Sequence, residues 1–280
     1  MIATCYRHPS RETGVSCSSC GNPICPDCMT PTPVGMRCPE CSHDRTKVAR
    51  IRSSTSEPTA TYALIAINVG AFLVEVFTGG GLASLSSGGT LITSGGLNGP
   101  DVAYGHDYWR LVTSGFLHAG ILHLLFNMYM LFIIGRLLEP AIGSTRFTII
   151  YFVSLLCGSL GALLWDPLVM TVGASGAVFG LMGAAMVTLR ARGMDPFSGG
   201  LGMILGLNLV ITFILPGISI GGHVGGLIGG LLSAWLLIDV AARRSARVPA
   251  TIACLLLGVA AVGASIAVAD SSGKFFGLLG

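Results

Sequence analysis

Seven stretches of this chain are too apolar and too long to be anything but helices in a lipid environment. They run over approximately residues 59–78, 116–138, 147–165, 174–189, 199–215, 218–238 and 250–269. A helix needs roughly 20 apolar residues to cross a bilayer core of about 30 Å, and about 17 to 25 are tolerated. Backbone groups at that depth find no water, so each stretch must close its own hydrogen bonds, as a helix does within one segment. Internal glycines fit close helix packing. The chain is 52% hydrophobic and only 10% charged, where soluble domains carry about 25%. Seven such runs exclude a soluble helical core, and a net charge of +3 gives no reason to expect nucleic acid as a partner. The expected fold is an all-α polytopic membrane protein whose immediate surroundings are a lipid bilayer.

Lysines and arginines orient it. Arg45, Lys47, Arg50 and Arg52 precede the first stretch, Arg136 and Arg146 flank the loop after the second, Arg190 and Arg192 follow the fourth, and Arg243, Arg244 and Arg247 follow the sixth. The opposite side has only Arg110 and Lys274. The positive-inside rule then expects a cytoplasmic amino terminus and, with seven spans, an extracytoplasmic carboxyl terminus. The loop between the first two stretches, nearly forty residues from "GGGLASLSSGGT" to "DYWRLVTSG", is far longer than most connections. It is therefore expected to be functional or partly structured, and to lean on the membrane.

Polar groups inside such helices are costly and are functional candidates by default. Here they share a depth. The fourth and sixth stretches run inward, and Ser175 of "TVGASGAVFGLMGA" and His223 of "IGGHVGGLIGG" lie near their outer ends. The second enters from the same side with His118, His123 and Asn127 of "FLHAGILHLLFNMYML". From Ser175 to Arg190 a helix spans roughly 22 Å, which recesses Ser175 several ångströms below the outer surface. Hydrolysis there needs a water-filled cavity, and these polar side chains are candidates to line it. Taken singly, Ser175 reads as a packing residue, a histidine as a structural hydrogen-bonder and Asn127 as an interhelical bond. Together they suit acyl transfer, with Ser175 as nucleophile, His223 as general base, and the Ser175 N–H, His123 and Asn127 as oxyanion donors. His123 and Asn127, four apart, share a helix face. No carboxylate is placed beside His223, since Asp166 and Glu75 lie near outer helix ends without a spacing that brings either there. A Ser/His dyad is expected, with packing orienting the imidazole. Gly222, Gly226 and Gly230 form one small-residue stripe and Gly176, Gly180 and Gly183 another, so the fourth and sixth helices can approach closely.

These motifs resemble the rhomboid family of intramembrane serine proteases. The resemblance rests on "GASG" with Ser175, "GGHVGGLIGG" with His223, "HAGILHLLFN" with His118, His123 and Asn127, "YWR" with Trp109 and Arg110, and "GRLLE" with Glu139, over about residues 59 to 240. It implies a six-helix core, here with a seventh helix appended, that cleaves transmembrane protein substrates near the outer face without a catalytic metal or organic cofactor. By resemblance Ser175 and His223 form the dyad and His123 and Asn127 serve the oxyanion hole. His118, Trp109, Arg110 and Glu139 shape the first loop and the core, with Gly173, Gly176, Gly226 and Gly230 as structural positions. Phe179 stands where many members carry a tyrosine against the imidazole, keeping the ring and losing the hydroxyl. The alternative function is a non-catalytic rhomboid-like factor that binds membrane proteins for quality control. A transporter with intramembrane histidines would account for the polar cluster but not for the Gly-x-Ser-Gly or the glycine stripes. The expected location is a bacterial plasma membrane.

Seven of the nine cysteines fall in the first forty-one residues, a polar segment without the apolar core of a signal peptide. The pattern is Cys5-x2-His8, Cys17-x2-Cys20, Cys25-x2-Cys28 and Cys38-x2-Cys41, eight soft ligands for two closed tetrahedral zinc sites. Disulfides are disfavoured if the segment faces a reducing cytoplasm. The pattern resembles a B-box-type finger, with Cys38 and Cys41 where that family usually ends in histidines. In a cross-brace, Cys5, His8, Cys25 and Cys28 hold one ion and Cys17, Cys20, Cys38 and Cys41 the other. Spacing alone does not decide the grouping, and His43 is an alternative ligand in the last pair. Such sites mainly fold a domain too small to bury a core, so the expected purpose is to bind a cytoplasmic partner or regulate. The domains are expected at 1–44 for the zinc finger, 45–58 for a basic linker, 59–240 for the six-helix core and 241–280 for the seventh helix and tail.

Overall fold

The computed structural model describes residues 3–32, 35–43, 57–79, 89–197, 199–242 and 246–275. Arg45, Lys47, Arg50, Arg52, Arg243 and Arg244 and most of the linker lie outside the described residues. The chain divides into two compact units, Met1–Ser53 and Ser54–Gly280.

In the first unit β1 (Ala3–Thr4) pairs antiparallel with β2 (Glu12–Thr13), β3 (Thr30–Thr32) with β4 (Gly35–Arg37), and a short helix α1 (Pro39–His43) follows. Its buried cluster is Ile24 surrounded by Cys5, Cys17, Cys25, Cys28 and Cys38. The one buried aliphatic side chain among its described residues cannot supply a hydrocarbon core, so a metal held by the sulfurs would carry much of the stability.

The second unit is helical. Helix α2 (Thr59–Gly79) leads to three short helices in the long loop, α3 (Thr90–Gly95), α4 (Gly99–Ala103) and α5 (Arg110–Thr113). Then come α6 (Ile121–Ile142), α7 (Ser144–Trp165), α8 (Ser175–Ala191), α9 (Leu201–Ile214), α10 (Ile220–Ala234), which continues as a π-helical turn over Trp235–Val240, and α11 (Arg247–Phe275). Five of these, α2, α6, α7, α10 with its π-turn, and α11, are long and apolar enough to cross a membrane. Helices α8 and α9 are shorter, at 17 and 14 residues, about 26 and 21 Å of rise. For α8 the reason is its surroundings: Gly176 through Ala185 are all buried, so protein rather than lipid sets its length. The described part of the long loop is structured, as expected. The second apolar stretch starts later than its hydropathy suggests, because residues 110–116 fold into α5 and a 3₁₀ turn over Ser114–Phe116. It also ends later, past Pro140, where Arg192 Nη2 donates to the Ala141 carbonyl at 2.7 Å and satisfies one of the last acceptors of α6.

Helix α7 is the centre of the bundle, 56% buried against 28% for α2 and for α11. The glycines of α10 let it press against two neighbours at once. A Cβ on Gly226 or Gly230 would fall 2.0 Å from the carbonyl oxygen of Gly176 or Gly180 on α8, and one on Gly221 or Gly225 would fall 2.0 or 2.4 Å from that of Gly161 or Cys157 on α7. The sequence reading gives the first stripe; the second, one residue out of phase, emerges only from the packing. Glu139, fully buried in α6, accepts from the backbone N–H groups of Ala60 (2.9 Å) and Thr61 (2.8 Å) and from the hydroxyls of Thr61 (2.7 Å) and Ser144 (2.6 Å). A carboxylate at the start of α2 meets its free N–H groups and the positive end of its dipole. That contact fixes α2 to the bundle.

Candidate active site

Ser175 is the first residue of α8, so its own N–H and those just after it lack intrahelical acceptors. The approach to it is rigid. Leu97 and Thr171 exchange backbone hydrogen bonds of 3.0 and 2.8 Å, and the Gly173 N–H donates to the Ser114 carbonyl at 2.9 Å. Gly173 has φ +122°, where side chains are disfavoured. A Cβ there would lie 2.7 Å from His123 Nε2 and 3.7 Å from Ser175 Oγ. The imidazole edge of His123 and the Ser175 hydroxyl thus converge on one bare Cα.

The Phe179 ring, one turn after Ser175 on the same face of α8, stacks on His223 with centroids 4.2 Å apart and planes at 22°. Gly176 and Gly222 close the same contact, since a Cβ on Gly176 would sit 3.1 Å from the Gly222 carbonyl oxygen. Among the described residues the His223 imidazole bonds to Thr212 of α9, whose Oγ1 lies 2.7 Å from Nδ1, and not to Ser175. In resting hydrolases such a catalytic bond is often long and tightens with substrate bound. Thr212 is the partner that the sequence reading misses. A threonine in an apolar helix gives no signal until its neighbour is known.

The remaining candidates divide. His118, 2% exposed, packs edge-on against His123 at 5.1 Å, and neither of its ring nitrogens has a partner among the described residues. Asn127 is buried and its amide donates to the His123 carbonyl at 2.9 Å, which leaves its second N–H for an oxyanion. Arg110 is buried and acts as the pin of the long loop, pairing with Asp107 at 2.9 Å and Asp101 at 3.1 Å and donating to the carbonyls of Thr93 and Gly96. Trp109 beside it is exposed. Glu75 accepts from the Leu91 N–H at the start of α3 and Asp166 from the Leu168 N–H, so both carboxylates serve backbone donors. A small, partly open cleft lies at Ser175, with Ser114, Ser159, Thr171 and Ser219 among its lining. Its polar wall is made of hydroxyls rather than of the histidines and amide that the sequence suggests.

In the first unit, Cys5, His8, Cys25 and Cys28 form one cluster and Cys17, Cys20, Cys38 and Cys41 another, the ligand atoms of each lying within 4.8 Å of one another. His8 Nδ1 is 3.9, 3.3 and 3.4 Å from the sulfurs of Cys5, Cys25 and Cys28, and the Cys20 and Cys38 sulfurs are 3.8 Å apart. These are the edges of a tetrahedron with metal bonds of about 2.0–2.3 Å. Backbone N–H groups of Ser19 and Cys38 point at Cys17 Sγ, and that of Cys41 at Cys38 Sγ, as the outer shell of a metal–thiolate site requires. Bonds from the Cys20 and Cys38 backbones bring the Cys17 thiol down to about 6, while the Cys38 sulfur pushes Cys41 up to about 12. Crowded sulfurs cannot all ionise without a cation among them. The residues therefore fit a tetrahedral soft metal ion. The His43 side chain lies outside the described residues.

The site sits in a polytopic helical bundle: a serine at a helix start meets the imidazole of His123 at Gly173, and a second imidazole, that of His223, stacks on the ring one turn further along the same helix. Residues 105–240 match the family model of the Rhomboid domain, and with five helices long and apolar enough to cross a membrane the chain is an integral membrane protein. It is 37% identical over 139 residues to Rhomboid protease GluP of Bacillus subtilis (strain 168), covering 49% of this chain and 26% of that protein. It is 35% identical over 153 residues to RHOMBOID-like protein 7 of Arabidopsis thaliana, covering 55% and 49%. Inactive RHOMBOID-like protein 8 of the same plant is 37% identical over 103 residues, covering 37% and 29%. The chain thus spans between about a quarter and a half of the length of these relatives.

Proposed function

We propose that the chain is an intramembrane serine endopeptidase that hydrolyses a peptide bond in or beside the transmembrane segment of a protein substrate. The observation that carries this reading is the convergence of Ser175 Oγ and His123 Nε2 on Gly173, with His223 stacked one helical turn away. Ser175 attacks the scissile carbonyl, His223 takes the hydroxyl proton and returns it to the leaving amine, and donors from His123, Asn127 and the start of α8 hold the oxyanion. The hydroxyl-lined cavity beside Ser175 offers room for the water that completes hydrolysis. Arginines and lysines gathered at one set of helix ends support a cytoplasmic amino terminus, and we assign the core to residues 59–240. Two zinc ions in the cysteine clusters complete the proposed molecule, as structural ions whose unit engages a cytoplasmic partner.

Full-length protein in lipid nanodiscs should cleave a transmembrane substrate, and Ser175→Ala and His223→Ala should each abolish cleavage. Ser175 should also label with a fluorophosphonate probe. Undiminished cleavage by Ser175→Ala would remove the assignment. A wild type that neither cleaves nor labels would instead favour a binding factor, the reading suggested by similarity to a relative named inactive.

A further inference from the structure

We propose that Thr212 is a positioning residue that fixes His223 in the Nδ1–H tautomer and so leaves the lone pair on Nε2. The assignment follows from counting one proton. The Thr212 hydroxyl lies 2.7 Å from the Asn208 backbone carbonyl, one turn back in α9, and 2.7 Å from His223 Nδ1. A carbonyl oxygen only accepts, and a threonine has a single hydroxyl hydrogen. If that hydrogen goes to Asn208, the Thr212 oxygen can only accept at the imidazole, and Nδ1 must carry the proton. Both bonds are then made. Were the hydrogen turned to Nδ1 instead, the Asn208 carbonyl would lose this donor and Nε2 would carry the proton, which disables it as a base. Thr212 is 1% exposed and His223 8% exposed, so little water competes for either group.

The arrangement deepens the protease reading and rests on it for its catalytic meaning. Phe179 holds the plane of the ring by stacking, and Thr212 holds its rotation within that plane. When Ser175 Oγ bonds to the carbonyl carbon its proton passes to Nε2, the imidazolium keeps Nδ1–H on Thr212, and the Nε2 proton leaves with the amine. Among the described residues a neutral hydroxyl stands where other hydrolases place a carboxylate.

Thr212→Val removes the hydroxyl at nearly constant shape, and Thr212→Ser keeps it. In full-length protein in nanodiscs, Thr212→Val should lower kcat by about ten- to a hundredfold with KM within about twofold, while Thr212→Ser stays within about threefold of wild type. Side-chain ¹⁵N NMR of His223 reads the tautomer without any substrate. Wild type and Thr212→Ser should show a protonated Nδ1 and an unprotonated Nε2, and Thr212→Val a mixture. A protonated Nε2 in neutral wild-type His223, or a Thr212→Val spectrum identical to wild type, overturns the proposal. If wild type shows Nδ1–H but cleaves nothing, the Thr212 assignment stands and the protease reading falls.

Discussion

Phe179 carries the most decisive contact of any single residue at this site, because a histidine base is useful only while its ring stays put. Its stacking at 4.2 Å needs an aromatic face and no hydroxyl, so Phe179→Tyr should keep cleavage within a few-fold. Phe179→Ala removes a buried ring, a change that costs about 3–5 kcal/mol in typical cores, and frees the imidazole to turn. Its kcat should fall at least tenfold with little change in KM, measured on a transmembrane substrate; a kcat equal to wild type would show that something other than the ring holds the base. At Gly173 the demand is steric. Alanine there would adopt φ +122° and meet the His123 imidazole at 2.7 Å, so Gly173→Ala should lose cleavage while remaining folded, judged by circular dichroism and thermal unfolding. Ser175, His223 and His123 were legible in the sequence because their chemistry is rare in apolar helices. Thr212 was not, since only the crossing of α9 over α10 brings its hydroxyl to the imidazole.

Helix packing obeys the same logic one level up. Hydropathy locates all seven apolar helices but not their lengths, because whether lipid or protein surrounds a helix is decided by its neighbours. Helix α8, enclosed by α6, α7 and α10, is short for that reason, and the start of α6 moved because residues 110–116 turn to let Arg110 pin the loop. The α10 glycines are read correctly as a packing surface, yet period-four spacing shows one stripe where the structure has two. Gly226→Ala places a Cβ 2.0 Å from the Gly176 carbonyl oxygen, a backbone atom that can yield only if the helices part. That overpacking should destabilise the protein by about 1–3 kcal/mol and move His223 away from Ser175. Gly206→Ala on α9 meets nothing within 4 Å and gains helix propensity of up to about 1 kcal/mol, so it serves as the control. Unfolding midpoints in detergent should fall for the first and hold or rise for the second. Equal midpoints would mean that α10 does not depend on contact through that glycine.

Across the whole molecule, two units reach stability by different physics. The helical unit buries aliphatic and aromatic side chains around α7, whereas among the described residues of the cysteine-bearing unit Ile24 alone is a buried aliphatic residue. With so little apolar surface to remove from water among the described residues, the smaller unit would depend on ligand–metal bonds, and metal binding would then be equivalent to folding. The interleaved clusters would make two bound ions interdependent, because each ion would tie the beginning of the segment to its later half. Metal analysis of the purified full-length protein should find about two zinc ions per chain, and Cys17→Ser should lower that number. A strong chelator should expose residues 3–43 to limited proteolysis, while cleavage of a transmembrane substrate continues, since the described residues that converge on Ser175 belong to the helical unit. Loss of cleavage on chelation, reversed by added zinc, would show instead that the metal unit controls the membrane unit. A protease-resistant amino-terminal segment after complete removal of metal would refute the dependence of its fold on zinc.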